Sequence, residues 1–331
     1  MESPCSGRDQ DVQSLSPPWA QVLYFPRFIA MRERVTVKVP ATTGNMGPGF
    51  DCLGMALDIW NAVEVEVGPP SFNIVGEGET TLPRQESNLV HRCFRVPFEE
   101  AGEPVPKVSI TCRNNIPLGR GLGSSSAAVV GGLVAGNELC GKPLSQERLL
   151  ELATELEGHA DNVAPALLGG CQIVVREDDR LVSVPVPLPE DLRVVLFIPD
   201  SPMPTREARQ ALPSDVPMED AVYNMGRVAL LVRALSTGDL THLAIATGDR
   251  LHQPARQTIF PAMKHLIRAA LGAGALGAFL SGAGSTVLAL AREREMTIGY
   301  EMADAAVKLA LDGTMKVSRP TNLGAHLVED E

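Results

Sequence analysis

Val35, Val37 and Val39 alternate with Thr36 and Lys38, a period of two that predicts a half-buried strand. A second strand-like run covers 62–67, and the residues between, ATTGNMGPGFDCLGMALD (41–58), read as a long irregular stretch dense in Gly, Asn and Pro. Further strands are predicted at 71–76, 108–112, 171–175 and 193–198. GAFLSGAGSTVLAL (277–290) reads as strand, glycine turn, strand. Helical periods cover 88–101, where Pro97 breaks the pattern, and 124–139, unusually rich in Ala, Gly and Val. Ser145 caps a periodic helix over 146–157 with Leu149, Leu150, Ala153 and Leu156 on its buried face. Helices are also predicted over 219–235, 239–253, within 254–271, and over 299–311, while GHADNVAPALLGG (158–170) reads as a loop. There is no internal repeat, and the mixture lacks a steady βαβ alternation, which favours an α+β fold.

One stretch departs from simple amphipathic patterning. In PLGRGLGSSSAA (117–128), three glycines run into three serines and then into a helix of small residues. Glycines expose main chain to a polyphosphate, and the helix N-terminus adds unpaired N–H donors and a positive dipole end. The serine hydroxyls can bond phosphate or ligate magnesium. In the irregular stretch, Asn45 and Asp51 are the polar residues suited either to a site or to shaping turns. His159, Asp161 and Asn162 fall together in one short segment, which points to a ligand site. Arg206 and Arg209 stand at a strand-to-helix junction, and Arg256 follows in the next helical region.

Composition narrows the partners. The chain has 331 residues, 44% of them hydrophobic and 21% charged, ordinary for a globular protein and long enough for two domains. No apolar run approaches the length of a membrane span, so no membrane role is expected. With 29 Lys and Arg against 40 Asp and Glu, the formal charge is −11, which makes nucleic acid a poor partner. Any nucleotide site must then be built locally, from backbone donors and a metal ion. The six cysteines (Cys5, Cys52, Cys93, Cys112, Cys140, Cys171) form no C-x-x-C pair and suit reduced, packed thiols in a cytoplasmic protein. Residues 1–30 are polar, rich in Pro and Ser, and lack the build of a signal peptide. They are expected to be a floppy or non-native extension.

Two nucleotide motifs fail on context. GNELCGKP (136–143) nearly matches a Walker A loop, but Pro143 stands where Ser or Thr must hold magnesium, and a helix precedes it. GAGALG (272–277) follows a helix and precedes a strand, the reverse of a dinucleotide-binding fingerprint.

PATTGNMGPGFDCLG (40–54), PLGRGLGSSSAA (117–128) and SGAGST (281–286), in that order, resemble three motifs of the GHMP kinase superfamily. Within it, NMGPGFDCLGMALD (45–58), EGHADNVAPALLGG (157–170) and TREARQALP (205–213) are most similar to the homoserine kinase branch. The likeness covers about residues 34–320. It implies a two-lobed α+β fold: a ribosomal-protein-S5-like lobe with a left-handed βαβ unit over 31–185, and a ferredoxin-like lobe over 186–331. It also implies ATP-dependent phosphorylation of L-homoserine with Mg2+; the sequence does not fix the oligomeric state, a homodimer being one option. Other readings are another GHMP small-molecule kinase, or an inactive relative, which the intact phosphate loop disfavours.

Carried over to this chain, the resemblance wraps the ATP phosphates with Pro117, Leu118, Gly119, Arg120, Gly121, Leu122, Gly123, Ser124, Ser125, Ser126 and Ala127. Ser124 and Glu155 become the magnesium ligands, with Glu157 in place of Glu155 if the alignment slips. Asn45, Asp51, His159, Asp161, Arg209, Arg256 and Gly282 surround homoserine, and Asp51, Asn162 and Arg256 are the expected catalytic residues. The substrate chemistry agrees: a zwitterion needs an anion for its ammonium (Asp51, Asp161) and a cation for its carboxylate (Arg209, Arg256). Asn162 stands where relatives such as mevalonate kinase have an aspartate base. An amide takes no proton, so positioning and charge neutralisation are expected to carry the reaction. Ala160 and Ser285–Thr286 depart from the usual pattern without removing a chemical group.

Overall fold

A computed structural model describes residues 32–178 and 180–328 of the chain. The expected extension at 1–30 lies outside them. The first half comprises β1 (Arg34–Gly44), β2 (Leu53–Val67), β3 (Ser71–Gly76), α1 (Leu89–Ala101), β4 (Val108–Asn114), α2 (Ser124–Leu139), α3 (Gln146–Glu157), α4 (Ala160–Leu168), β5 (Cys171–Glu177) and β6 (Arg180–Val186). The second comprises β7 (Arg193–Pro199), α5 (Thr205–Gln210), α6 (Met218–Thr237), α7 (Leu243–Ala246), α8 (Gln253–Arg256), α9 (Met263–Gly272), β8 (Gly277–Leu280), β9 (Val287–Ala291), α10 (Glu295–Lys308), β10 (Gly313–Ser318) and β11 (His326–Val328).

The first sheet runs β11-β1-β2-β4-β3, with β5 joined to β2 and β6 to β5. Its one parallel pair among the described residues, β3 with β4, is bridged by α1 and forms a βαβ unit. The second sheet runs β10-β7-β9-β8, all antiparallel. Counted in chain order its strands lie 4-1-3-2, a ferredoxin-like order. After β10 the chain crosses back, and β11 pairs with β1 in the first sheet.

Small residues explain how α2 sits. A Cβ on Gly132 would meet the Val90 carbonyl oxygen at 2.5 Å, and one on Gly136 would meet the Phe94 carbonyl oxygen at 2.2 Å. These glycines let α1 lie directly against α2, while Val129, Val130 and Leu133 join the core. Val194, Leu196 and Ile198 of β7 extend that same core, whereas Val195 and Phe197 face a second cluster with α9 and α10. Alternation along one strand thus splits two cores.

Several expected elements shift. The irregular stretch is only residues 45–52, because β1 and β2 pair as far as Gly44 with Gly54. Ala41 to Gly44 are buried on both faces, so the alternation that marks a half-buried strand is lost there. Pro97 lies inside α1 on its buried side, and the helix continues to a left-handed cap at Gly102. Residues 160–168 are helical, where a loop is expected. The helix expected over 239–253 is replaced by α7 and α8, because the Asp249 carboxylate accepts from the N–H groups of Leu251, His252 and Gln253 (2.7–3.0 Å) and starts a new turn. Helix α10 starts at Glu295 instead of 299, and β6, β10 and β11 have no counterpart among the predicted strands. All five cysteines among the described residues are free thiols, buried or partly so.

Candidate active site

The three glycine-rich segments meet at one cleft. Helix α2 begins at Ser124 behind Gly123, which has φ 70° and offers no side-chain cap, so the first N–H groups of the helix face the cleft. A Cβ on Gly123 would lie 2.0 Å from Thr42 Oγ1, and one on Gly121 would lie 2.0 Å from the Ser281 carbonyl oxygen. The loop is therefore pressed between β1 and the 281–286 turn, and Thr42 N and Thr286 N donate to the carbonyls of Leu122 and Arg120 (both 3.1 Å). The Arg120 side chain leaves the cleft and donates to the carbonyls of Pro199, Leu118 and Asp200.

Opposite α2, the end of α3 brings in Glu157. Its carboxylate accepts from Ser125 Oγ (2.9 Å) and Ser126 Oγ (3.1 Å). The expectation for Glu155 is corrected: it points to solvent, 3.5 Å from Arg148, and does not line the cleft. Helical spacing carried the signal. Glu157 continues the buried row of Leu149, Leu150 and Ala153, while Glu155 follows Glu151 on the exposed face. Leu156, expected on the buried face, is 39% exposed, and Leu152 is buried instead.

The other wall is built from charged side chains. Asp51 and Arg209 form a bidentate pair (2.7 and 3.0 Å) at the cleft. Asn45 and Asp51 hold left-handed φ values of 63° and 56°, which Asn and Asp tolerate best among residues with a Cβ. Asn45 serves as a strut: its Nδ2 donates to the Gly282 carbonyl (2.8 Å), and its Oδ1 accepts from Asp51 N (3.0 Å). Asp161, in the first turn of α4, is buried and accepts from Asn45 N (2.9 Å). Asn162 accepts from Thr42 Oγ1 (2.9 Å). His159 Nδ1 approaches Asp161 Oδ1 at 3.3 Å, by charge rather than by a well-formed hydrogen bond. Burial opposes its protonation, but the Asp161 and Glu157 carboxylates outweigh this and hold its pKa above the usual histidine value. Arg256 is 1% exposed and donates to the Gly282 carbonyl (2.9 Å). Burial, then the nearby Arg209, lowers its pKa to about 10, so it stays charged at neutral pH. Cys52, beside the same loop, is pushed up to about 11 by burial and by Asp161 and Asp51, so it is an unreactive thiol.

The cleft thus gathers Asn45, Asp51, Gly119 to Ser126, His159, Asp161, Asn162, Arg209, Arg256 and Gly282. Pro117, Leu118 and Ala127 lie outside it. Leu118 and Ala127 line an adjoining cavity of about 360 Å³, which shares Gly119, Ser124 and Ser125 with the cleft. That cavity is walled by Val63, Ile74, Leu82, Pro83 and Val90 and edged by Asn61 and Asn88. Its residues come from separate strands and loops and carry no contiguous motif. Ala283, in the 282–284 turn expected to support the phosphate loop, also lines the cleft, as does Thr205, whereas Arg206 does not. Among the described residues no group of three His, Cys, Asp or Glu is placed to hold a metal, so Glu157 and the serine hydroxyls form a partial set of oxygen donors.

Residues 88–170 match the GHMP kinases N terminal domain, and residues 231–307 match the GHMP kinases C terminal domain. A homoserine kinase of Moorella thermoacetica is 44% identical over 293 residues, which span 88% of this chain and 99% of that protein. One from Gloeobacter violaceus is 47% identical over 259 residues, or 77% of this chain and 86% of that protein. The crystal structure of homoserine kinase from Cytophaga hutchinsonii superposes with a TM-score of 0.82 at 32% identity, covering 91% of this chain and 99% of that one. The mevalonate kinase of L. major, at 15% identity and a TM-score of 0.60, shares the fold.

Proposed function

The chain belongs to the homoserine kinases of the GHMP kinase family, and we propose that it transfers the γ-phosphoryl group of ATP to the side-chain hydroxyl of L-homoserine. The products are ADP and O-phospho-L-homoserine, a step of threonine biosynthesis. GHMP kinases use ATP as phosphate donor, generally with a divalent metal. The observation that carries the acceptor assignment is the Asp51–Arg209 pair facing the phosphate loop across one cleft, with the buried Arg256 behind it.

In this reading the apolar cavity takes adenine and the loop 119–126 takes the phosphates through main-chain N–H groups and the end of α2. Ser124 and Glu157 hold Mg2+, which when bound neutralises charge on the phosphates. A zwitterion fits the Asp51–Arg209 pair by exchange: its ammonium replaces the guanidinium beside Asp51, and its carboxylate replaces Asp51 beside Arg209. Charge balance is kept, so little desolvation is left uncompensated. Arg256 provides the second cation, and Asp161 and His159 border the acceptor. The hydroxyl oxygen attacks the γ-phosphorus as the bond to the β,γ-bridging oxygen breaks, and the hydroxyl proton leaves late, to a transferred phosphoryl oxygen or to solvent. Asn162 is an amide already accepting from Thr42, which supports a reaction run by alignment and charge, with little demand for a base.

The same proposal divides the chain after residue 185 into an ATP-binding and a covering lobe and places it in the cytoplasm, consistent with the absence, among the described residues, of a helix able to cross a membrane. It also makes the chain a homodimer. Met218, Val222 and Met225 are exposed along α6 and offer an apolar strip that two copies packed about a twofold axis would share. ADP release with L-homoserine, mevalonate and galactose in parallel tests the activity. Turnover of L-homoserine alone is expected, and turnover of mevalonate without homoserine would overturn the assignment.

A further inference from the structure

We propose that His252 is a positioning residue that ties Arg256 to the 45–52 loop and so sets the distance between the cation and the anion offered to the acceptor. This rests on the cleft being an amino-acid kinase site. His252 and Arg256 are 0% and 1% exposed. Arg256 Nη1 lies 3.0 Å from His252 Nδ1, and His252 Nε2 lies 2.7 Å from the Gly47 carbonyl oxygen. A guanidinium can only donate and a carbonyl can only accept. Nδ1 must therefore present its lone pair, and Nε2 must carry the hydrogen. The partners fix one neutral tautomer, and a proton on Nδ1 would face the Arg256 cation.

The surroundings hold that ring in place. Asp249, its side chain fully buried, accepts from His252 N (3.0 Å), Gln253 N (2.7 Å) and Asn224 Nδ2 (2.7 Å), which fixes the start of α8. Burial lowers the His252 pKa, and the Asp249 carboxylate 3.5 Å from Nε2 only partly offsets this. Phe50, next to Asp51, stacks on the imidazole at 5.4 Å, and the Arg209 and Arg256 guanidiniums lie over the Phe50 ring at 5.7 and 5.5 Å. The loop that carries Asp51 and the helix that carries Arg256 are thus joined through this imidazole, beside the Gly282 carbonyl that both Asn45 and Arg256 reach. None of these contacts requires His252 to touch substrate.

Glutamine can reproduce the pair of bonds, with a carbonyl oxygen for Arg256 and an N–H for Gly47, whereas leucine can do neither. His252→Gln and His252→Leu are compared with wild type for KM of each substrate, kcat, and thermal melting with and without MgATP. His252→Leu is expected to raise KM for L-homoserine about 10- to 30-fold with KM for ATP within about twofold, and His252→Gln to stay within about threefold of wild type for both. Equal rises in the two KM values, or a glutamine variant as impaired as the leucine one, would overturn the proposal. If His252→Leu yields no folded protein, the glutamine variant decides: a tenfold rise in KM for homoserine counts against the role. A wild type that ignores homoserine defeats the reading of the cleft and this inference with it. A wild type that uses homoserine, with variants unchanged, defeats the role of His252 alone.

Discussion

The two walls of the cleft solve the problem of holding charge in different ways. The phosphate wall is main chain: a glycine loop, an uncapped helix start and three serines, with its one arginine, Arg120, turned away. The acceptor wall is side chain: Asp51 paired with Arg209, His159 beside Asp161, and Arg256 held on the Gly282 carbonyl, all drawn from separate segments of the chain. A chain of net charge −11 gains little from a general positive field toward ATP. Local dipoles and N–H groups meet the need on one side. On the other, a small zwitterion requires charges of both signs at fixed spacing, and only buttressed side chains supply that. On the proposed reading, main chain recognises a class of group, the polyphosphate, while the side chains of the other wall choose the acceptor.

The largest effect expected from breaking the phosphate wall is that of Gly121→Val. The new Cβ would meet the Ser281 carbonyl at 2.0 Å on a backbone with φ 74°, so loop and turn must separate. Activity should fall by about 10³-fold with a lowered melting temperature, since preorganised donors are lost together. Retention of more than a tenth of wild-type activity would show that the close packing is dispensable. Next comes the metal: Glu157→Gln should cost about 10²-fold in kcat and raise the magnesium requirement, while Glu155→Gln stays within about twofold. The reverse ranking, read by magnesium titration, would return the role to Glu155. The smallest effect concerns His159. Its raised pKa means that the protonated ring stabilises the fold. That contribution is fully present below the ordinary histidine pKa and is lost as pH rises through the raised value. Chemical denaturation of His159→Gln against wild type should show a gap at acid pH that closes on the alkaline side, and a gap independent of pH would rule out the ion pair.

The contrast between the walls also governs what the sequence discloses. The phosphate loop is contiguous, so its glycines, serines and following helix are legible without any relative. Helices α2 and α3 begin and end where the periodicity and Ser145 place them. The acceptor residues are distant in sequence, and resemblance, not spacing, gathers Asp51 with Arg209. Glu157 was within reach through the period of α3. The apolar cavity beside Ser124, and the imidazole between Arg256 and Gly47, were not: each depends on segments that meet only once both sheets are in place. Strand β11 is only three residues long, and β10 lies at a sheet edge with no buried position, so its brief Met315–Val317 alternation does not stand out from the tail that follows.

The claim that the walls act separately is tested most directly by one pair of variants assayed against both substrates. Arg256→Ala removes a buried cation from the acceptor wall, and Ala128→Trp fills the cavity beside the phosphate wall. The account predicts a crossed result. Arg256→Ala should raise KM for L-homoserine by about 10²-fold or more, with KM for ATP within about threefold. Ala128→Trp should raise KM for ATP at least about tenfold and leave KM for homoserine nearly unchanged. If each substitution instead raises both KM values alike, the cleft is one undivided site and the account is wrong.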